Sequence, residues 1–580
     1  MELFGQPVSP GVVIGEVMRY IPFRPRLTEE PLSAADVPGA LARYEQAKAK
    51  AQEELDALEK KMAKDPDKAK IIAAHQDILQ DPVMDEEIRS LISGQLVNPD
   101  AAVAQIYDTY AAVLRQSLND RMQERASDLQ DVRLRLLRCL AGVPERNLSA
   151  LPKPVIVVAD DLFPSDTASL DRTHVLGIVT QVGGATSHTA IIARSYEIPA
   201  VLGVPGAMER LSDGQTVILD AVEGKVLTEP SAEEIDAYRT KGEKISARMR
   251  EDKAYLDAEP VTRDGVRMKV YLNIGAVNDG ELAGAAHADG CGLFRTEFLY
   301  LNSDHLPGEE EQYQAYRKVL EAFGSKPVTL RTMDVGGDKQ LPGLELPSEN
   351  NPFLGVRGLR LSLSRRDLFR TQVRAALRAS VHGNLKIMMP MVGALDELLK
   401  AKAVIAEEGA ALDRAGIPWN YDIQIGIMVE VPSIALIADM VVQEVDFISV
   451  GTNDLTQYLC AADRMNPAVR PYYQAYHPAV FRVLGNLART FAAAGKPVSV
   501  CGELAGDPLA IPVLAGLGIH KLSMNLSSVA GAKRLIRRLN LVEAKALAQE
   551  VQNLKTAEEI KARLTAFAER TREGSSSIYV

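Results

Sequence analysis

The hydrophobic and polar positions change character along the chain. Residues 1 to about 20 alternate as short strands, broken at Pro10-Gly11. From about 35 to 145 the apolar positions recur at helical spacing in long segments rich in helix formers. One segment runs from Ala40 to about Met62 and ends at the Asp65-Pro66 break; a second runs from Ile71 through Leu79 and stops near Asp81-Pro82. Two more cover about Ala101 to Leu118 and Glu124 to Leu140, so the region reads as a bundle of helical hairpins inserted after the first strands. From about 150 strands return: Pro154–Val158, Leu176–Thr180 and Thr216–Asp220 are runs suited to a buried sheet. Residues from about Ser231 to Leu256 then read as one long charged helix, a connector or hinge candidate.

After Glu259-Pro260, strand and helix patterns alternate. The strand candidates are Met268–Leu272, Gly292–Phe294, Val328–Leu330, Leu385–Met388, Gln424–Val429, Phe447–Val450, Val498–Val500 and Lys521–Met524. Eight such units in about 320 residues predict a (β/α)8 barrel. Polar residues sit at or just past their C-terminal ends: Asn273, Arg295, Arg331 with Asp334, Glu430, Asn453 with Asp454, Cys501 and Asn525. A barrel brings those ends together at one mouth, where active sites lie. Arg295, Arg331, Arg357 and Arg464 offer planar forks for carboxylate and phosphate oxygens. Glu430 and Asp454 are hard oxygen ligands suited to Mg²⁺ that also touches substrate oxygens. The substrate expected there is small and polyanionic, with both a phosphate and a carboxylate. Cys501, mostly protonated at neutral pH at an ordinary thiol pKa of about 8.5, is a candidate proton donor; a buried inert cysteine is the alternative.

A second chemical focus lies in the preceding region, where the strand-like Leu176–Thr180 leads into Gly183-Gly184-Ala185-Thr186-Ser187-His188-Thr189-Ala190-Ile191 and a helical pattern. Glycines let backbone amides approach an anion closely, and a helix N-terminus favours one. A neutral imidazole held at one nitrogen is a nucleophile at the other, so His188 is a candidate phosphoryl acceptor, with Thr186 and Ser187 able to orient ring and phosphate. A histidine that merely packs the turn is the alternative.

Composition narrows the setting. With 580 residues the chain exceeds a single core, and 46% hydrophobic residues supply several. A net charge of -11 argues against nucleic acid as the main partner and suits a basic protein partner. Cys139, Cys291, Cys460 and Cys501 are scattered without metal-ligand spacing, as in a reducing compartment. The N-terminus lacks a signal-peptide pattern and no apolar run reaches membrane-spanning length, so a cytoplasmic protein without membrane insertion is expected.

The segment Gly183–Ile191 resembles the phosphohistidine signature of the phosphoenolpyruvate-utilising enzymes, and Asp446–Tyr458 resembles their second signature, on the barrel. Gly292–Leu299 and Asn351–Arg357 match further family blocks, although the family often has tryptophan where Val356 stands. The order of helical insert, histidine domain and barrel is similar to the Enzyme I branch of the bacterial sugar phosphotransferase system. The resemblance implies a multidomain α/β protein: a swivelling phosphohistidine α/β domain (1–21 and 148–230), an inserted helical bundle that binds the carrier HPr (22–147), a linker helix (231–260) and a phosphoenolpyruvate-binding (β/α)8 TIM barrel that dimerises (261–580). It implies phosphoryl transfer from phosphoenolpyruvate to Nε2 of His188, with Gly183, Gly184, Thr186 and Ser187 as supporting motif. Arg295 and Arg331 correspond to phosphate-binding arginines, and Arg464, Arg357, Asn453 and Asp454 fall in the substrate site. Glu430 and Asp454 correspond to the Mg²⁺ ligands and Cys501 to the donor that turns the enolate into pyruvate. His188 then passes the group to a histidine of HPr, and Ala74–Leu79, with His75, resembles part of the docking surface. Competing readings are the nitrogen-branch paralogue, which usually carries a sensory domain, and a Mg²⁺-dependent barrel lyase of keto acids. A catalytically silent scaffold is a third, against which the polar strand ends argue.

Overall fold

The structure is a computed structural model. It describes all residues except 22, 24, 26, 29, 63–65, 116–119, 144–147, 149–150, 152, 163–169, 184–187, 302–304, 337–348, 465 and 574–580. For some helical positions, His188 among them, only the backbone is described. The chain forms two compact units, Met1–Glu243 and Lys244–Val580.

The first unit is built on one eight-stranded sheet. Its strands are β1 (Glu2–Phe4), β2 (Gln6–Ser9), β3 (Val12–Tyr20), β4 (Val155–Ala159), β5 (Val175–Thr180), β6 (Ala200–Leu202), β7 (Thr216–Asp220) and β8 (Lys225–Thr228), in the order β1-β8-β7-β3-β4-β5-β6-β2. The central β3, β4, β5 and β6 run parallel, and the outer pairs are antiparallel. β4 is buried along its whole length, which is why it reads as a continuous apolar run without alternation. Two apolar clusters, one on Val157, Ile178 and Ala193 and the other on Ile156, Val217 and Val226, form the core of this sheet.

Between β3 and β4, among the described residues, lie the helices α1 (Val37–Met62), α2 (Pro66–Leu79), α3 (Pro82–Gly94), α4 (Pro99–Arg115) and α5 (Asp120–Leu140). They share their own core, which includes Tyr44, Leu55, Ile88, Ile92, Tyr107 and Leu136. α3 is not among the helices expected from the sequence, in which Asp81-Pro82 reads as a stop. The motif is both: α2 ends at Leu79, and a new helix starts with Pro82 in its first turn, where the Asp81 side chain accepts from Val83 N at 2.9 Å and Met84 N at 3.0 Å. β6 and β8 are further strands beyond those expected.

The second unit contains a closed parallel barrel of β9 (Lys269–Ile274), β10 (Cys291–Arg295), β11 (Pro327–Arg331), β12 (Asn384–Met389), β13 (Gln424–Val429), β14 (Phe447–Val450), β15 (Val498–Val500) and β16 (Lys521–Met524). The expected (β/α)8 barrel is therefore present. Its main core lies between strands and surrounding helices, where Val270, Leu330, Ile387, Ile427, Ile448 and Leu522 are buried. Inside the barrel, Leu293, Met388, Met428, Phe447 and Cys501 form a separate small cluster. Phe447 fits there because Gly426 faces it: a Cβ at that glycine would stand 2.7 Å from the ring. The helix Ala232–Lys253 runs across the boundary of the two units.

Candidate active site

The barrel mouth is set by the ends of its strands. Arg295 closes β10 and Arg331 closes β11, and the parallel register pairs their Cα atoms, so two guanidinium groups start from adjacent positions. Glu430 follows β13, Asn453 and Asp454 open the helix Thr452–Cys460 just after β14, and Cys501 follows β15.

Arg331 is buried and fixed from two sides. Its Nη2 donates to Glu297 Oε1 at 2.9 Å, and its Nη1 lies 3.0 Å from Asp334 Oδ2. Glu297 Oε1 also accepts from Asp334 N at 3.0 Å. Burial opposes the charge on Arg331, but Glu297, Asp334 and Glu430 outweigh it and raise its pKa. Arg295 differs. Among the described residues it makes no hydrogen bond or ion pair, and burial together with the Arg331 charge lowers its pKa. A cation that is desolvated, repelled by its neighbour and without a carboxylate of its own gains most from an incoming anion.

Arg357 bridges two carboxylates. Nε and Nη2 reach Asp334 Oδ1 and Oδ2 at 3.1 Å each, and Nη1 and Nη2 reach Asp454 Oδ1 and Oδ2 at 3.3 Å each. Its donors are thus engaged with protein, and it holds Asp454 in place. Arg464 Nη2 lies 3.7 Å from Asp454 Oδ1. Asn453 Oδ1 accepts from Glu503 N at 2.9 Å, which ties the start of its helix to the segment after β15.

Glu430 is fully buried. Its Oε1 accepts from Met391 N at 2.6 Å, while Oε2 has no partner among the described residues. Burial, Asp454 and Asp334 push its pKa up to about 8. A buried carboxylate oxygen without a donor, beside further carboxylates, is the environment that a cation would relieve. Among the described residues no group of three or more His, Cys, Asp or Glu can hold a metal ion alone. The oxygen donor set fits Mg²⁺, which commonly takes one or two carboxylates and completes its shell with water and substrate oxygens.

Cys501 is buried with its thiol 3.6 Å from Val450 O, and burial pushes its pKa up to about 11 against the pull of Arg331 and Arg295. It is a thiol at neutral pH, able to give a proton. Asn273 Nδ2 donates to the Cys501 carbonyl at 3.1 Å and is itself held by Ser523 Oγ at 2.7 Å.

In the first unit, His188 is the first residue of the helix His188–Ser195, beyond the end of β5. Gly183 has φ 99°, a conformation that favours glycine, while Gly184, Thr186 and Ser187 lie outside the described residues. The next residue, Thr189, is buried and its Oγ1 donates to Leu162 O at 3.1 Å and Asp161 Oδ1 at 3.3 Å, pinning the helix start to the segment after β4. His75 is buried on α2 with Nε2 3.3 Å from Asp128 Oδ1, so it faces into the bundle. Glu297 is the residue to which the sequence reading gave no role. Its signal was its place in Arg295-Thr296-Glu297, just beyond a strand end.

Paired arginines and carboxylates at the barrel mouth and, in the other unit, a histidine at a helix start are the parts that a class of phosphoryl-transfer proteins uses. Models of the phosphoenolpyruvate-utilising enzymes match three parts of the chain: the N-terminal domain over residues 4–125, the mobile domain over 151–224 and the PEP-binding domain over 249–541. The chain belongs to the phosphoenolpyruvate-utilising enzyme family. It is 43% identical over 571 residues to a phosphoenolpyruvate-protein phosphotransferase of Bacillus sp. (strain S), covering 98% of each chain. Over 571 residues it is also 43% identical to the protein of that name from Geobacillus stearothermophilus, again covering 98% of each. With the one from Bacillus subtilis (strain 168) it shares 42% over 563 residues, 97% of this chain and 98% of the relative.

Proposed function

We propose that this chain is a phosphoenolpyruvate-protein phosphotransferase that takes the phosphoryl group onto His188 and passes it to a histidine of an HPr-type carrier, the first step of sugar uptake by a phosphotransferase system. The observation that carries the reading is the barrel mouth, where Arg295 lies without a counter-ion beside the fixed Arg331 and the unpartnered Glu430 Oε2. The family membership and the relatives' shared name support the same reaction. A barrel lyase would leave the His188 segment without a role.

In the reaction, Arg295 and Arg331 hold the phosphoryl oxygens, and Arg464 and Asn453 hold the remaining substrate groups. Glu430 and Asp454 would hold Mg²⁺, which supplies positive charge to the substrate's phosphate and carboxylate oxygens. Nε2 of His188 attacks phosphorus in line; the P–O bond breaks as the P–N bond forms, and the enolate of pyruvate leaves. Cys501 gives its proton to the enolate carbon, and the thiolate regains one from water. Arg357 keeps Asp454 oriented through its paired contacts.

Nucleophile and substrate site belong to different units, so the phosphohistidine domain (1–21 and 148–230) must alternate between the barrel and a carrier docked on the helical insert (22–147). Residues 231–260 serve as linker, and the barrel domain (261–580) as the dimerisation domain. Exposed Leu399, Leu436 and Met440 on its surface helices supply apolar area for a homodimer. Among the described residues no helix is long and apolar enough to cross a membrane. We place the reaction in the cytoplasm, where the four free cysteines stay reduced.

The test is incubation with ³²P-labelled phosphoenolpyruvate and Mg²⁺ beside a His188→Ala variant. Acid-labile, base-stable label on the wild type alone, with pyruvate released, is expected. Absence of label on folded wild-type protein would overturn the assignment.

A further inference from the structure

The barrel lumen is charged at both ends. On strand after strand, the residue two positions before a lumen or mouth residue faces the opposite, N-terminal end, because side chains alternate with a period of two. Lys386 precedes Met388, Thr329 precedes Arg331, Ser499 precedes Cys501, Lys521 precedes Ser523, and Tyr271 precedes Asn273. All five line one cavity at the N-terminal end. That end of a (β/α)8 barrel is ordinarily a packed apolar layer. Here it offers about 20 Å³ to the centre of a water-sized sphere, against the roughly 10–15 Å³ one such sphere needs. Gly292 is one of the lining residues, and the neighbouring strands approach it closely: a Cβ there would stand 2.5 Å from Ser523 Oγ.

The cavity is lined by donors that lack acceptors. Neither Lys386 nor Lys521 makes a hydrogen bond or ion pair among the described residues; Lys386 lies 5.4 Å from the Phe447 ring centre. The hydroxyls of Tyr271 and Thr329 are likewise unpartnered among the described residues, while Ser499 Oγ is used on Ile448 O. No carboxylate lines the cavity. The nearby ones lie outside the lining: Asp446 accepts from Ile425 N and offsets part of the repulsion on Lys386, and Asp289 accepts from Val270 N, Arg267 and Lys269. Burial lowers the pKa of both lysines; Lys521 lowers that of Lys386 further, and Lys269 that of Lys521. A neutral water cannot offset that repulsion, whereas an anion between the ammonium groups turns it into attraction.

We infer that the N-terminal end of the barrel lumen binds one small inorganic anion of halide size, held by Lys386 and Lys521 and by the hydroxyls of Tyr271 and Thr329. The space admits a sphere the size of water, and its lining lies at the strand ends opposite to Arg295, Arg331 and Glu430, so this site is separate from the mouth. Its occupancy neutralises the layer directly beneath the strands that carry Arg331 and Cys501.

The experiment uses the full-length protein. Its melting temperature is followed against sodium bromide, with sodium gluconate holding ionic strength constant, for wild type, Lys386→Gln and Lys521→Gln. A saturating rise in wild type that is lost in both variants is expected, with labelling of His188 by phosphoenolpyruvate unchanged. A bromide anomalous peak between the two lysines in wild-type crystals is the second expectation, and it decides alone where a variant fails to fold. The same bromide response in all three proteins, or no peak at the site, would overturn the inference. A saturating response to phosphate in place of bromide would overturn the halide assignment.

Discussion

Cys501 shows how the mouth sets the chemistry of a single side chain. Burial raises its pKa to about 11, and the guanidinium groups of Arg331 and Arg295 pull in the other direction. At pH 8 the thiolate is then about a thousandth of the population, against about a quarter for an ordinary thiol near 8.5. The sign follows: a raised pKa keeps the proton on sulfur, so a donor for the enolate is present throughout the neutral range and is lost only as pH climbs towards about 11. Alkylation of Cys501 in the folded protein, followed by peptide mass spectrometry, is expected to keep accelerating beyond pH 10. In the unfolded chain it levels off near pH 9. A plateau near pH 9 in the folded protein would show that the thiol is not held protonated. Residues of this kind were legible because strand ends in a barrel converge, so type and position together suggested a role. Glu297 was not legible in that way. Its importance comes from burial against Arg331 and from accepting Asp334 N, and neither contact has a trace in sequence spacing. The same holds for Arg357, which the sequence offers as an anion fork and the fold surrounds with Asp334 and Asp454.

Among the elements, the barrel strands were readable because short stretches rich in Val, Ile, Leu and Met alternate with helical patterns, and Gln424–Val429, Phe447–Val450, Val498–Val500 and Lys521–Met524 coincide with their sequence boundaries. α3 was hidden because proline marks both helix ends and helix starts, and only the capping geometry tells them apart. Asp81 supplies that cap, so Asp81→Ala is expected to destabilise α3 by about 1 kcal/mol, a roughly fivefold loss in the local opening equilibrium. Hydrogen exchange of the α3 amides in the intact protein reads this directly, with the barrel amides as internal reference. Unchanged protection of α3 would mean that packing of Met84, Ile88, Leu91 and Ile92 alone holds the helix.

Across the whole molecule, among the described residues each apolar core lies within one unit: those around Tyr44, Val157 and Ile156 in Met1–Glu243, the barrel cores in Lys244–Val580. The helix Ala232–Lys253 is anchored at two places. Lys241 Nζ lies 2.5 Å from Asp220 and 2.6 Å from Glu223, and farther along, Arg534 holds Glu251 at 2.8 Å and Asp252 at 2.6 Å. Cutting the chain after Lys253 severs no apolar core; it gives up the Arg534 pairs, of which Glu251 is two-thirds exposed and worth little, and the backbone bonds from Ala254, Tyr255 and Leu256 to the last helical turn. Residues 1–253 and 254–580 are therefore each expected to fold. If His188 is the acceptor and the barrel the substrate site, the first piece exchanges phosphoryl groups with a phosphorylated carrier but takes no label from phosphoenolpyruvate. The second piece takes none that survives in base. Mixing them restores labelling far more slowly than in the intact chain, because the linker no longer supplies an effective concentration of about millimolar. Labelling of residues 1–253 alone at the intact rate would place the substrate site outside the barrel and remove the basis for the whole scheme.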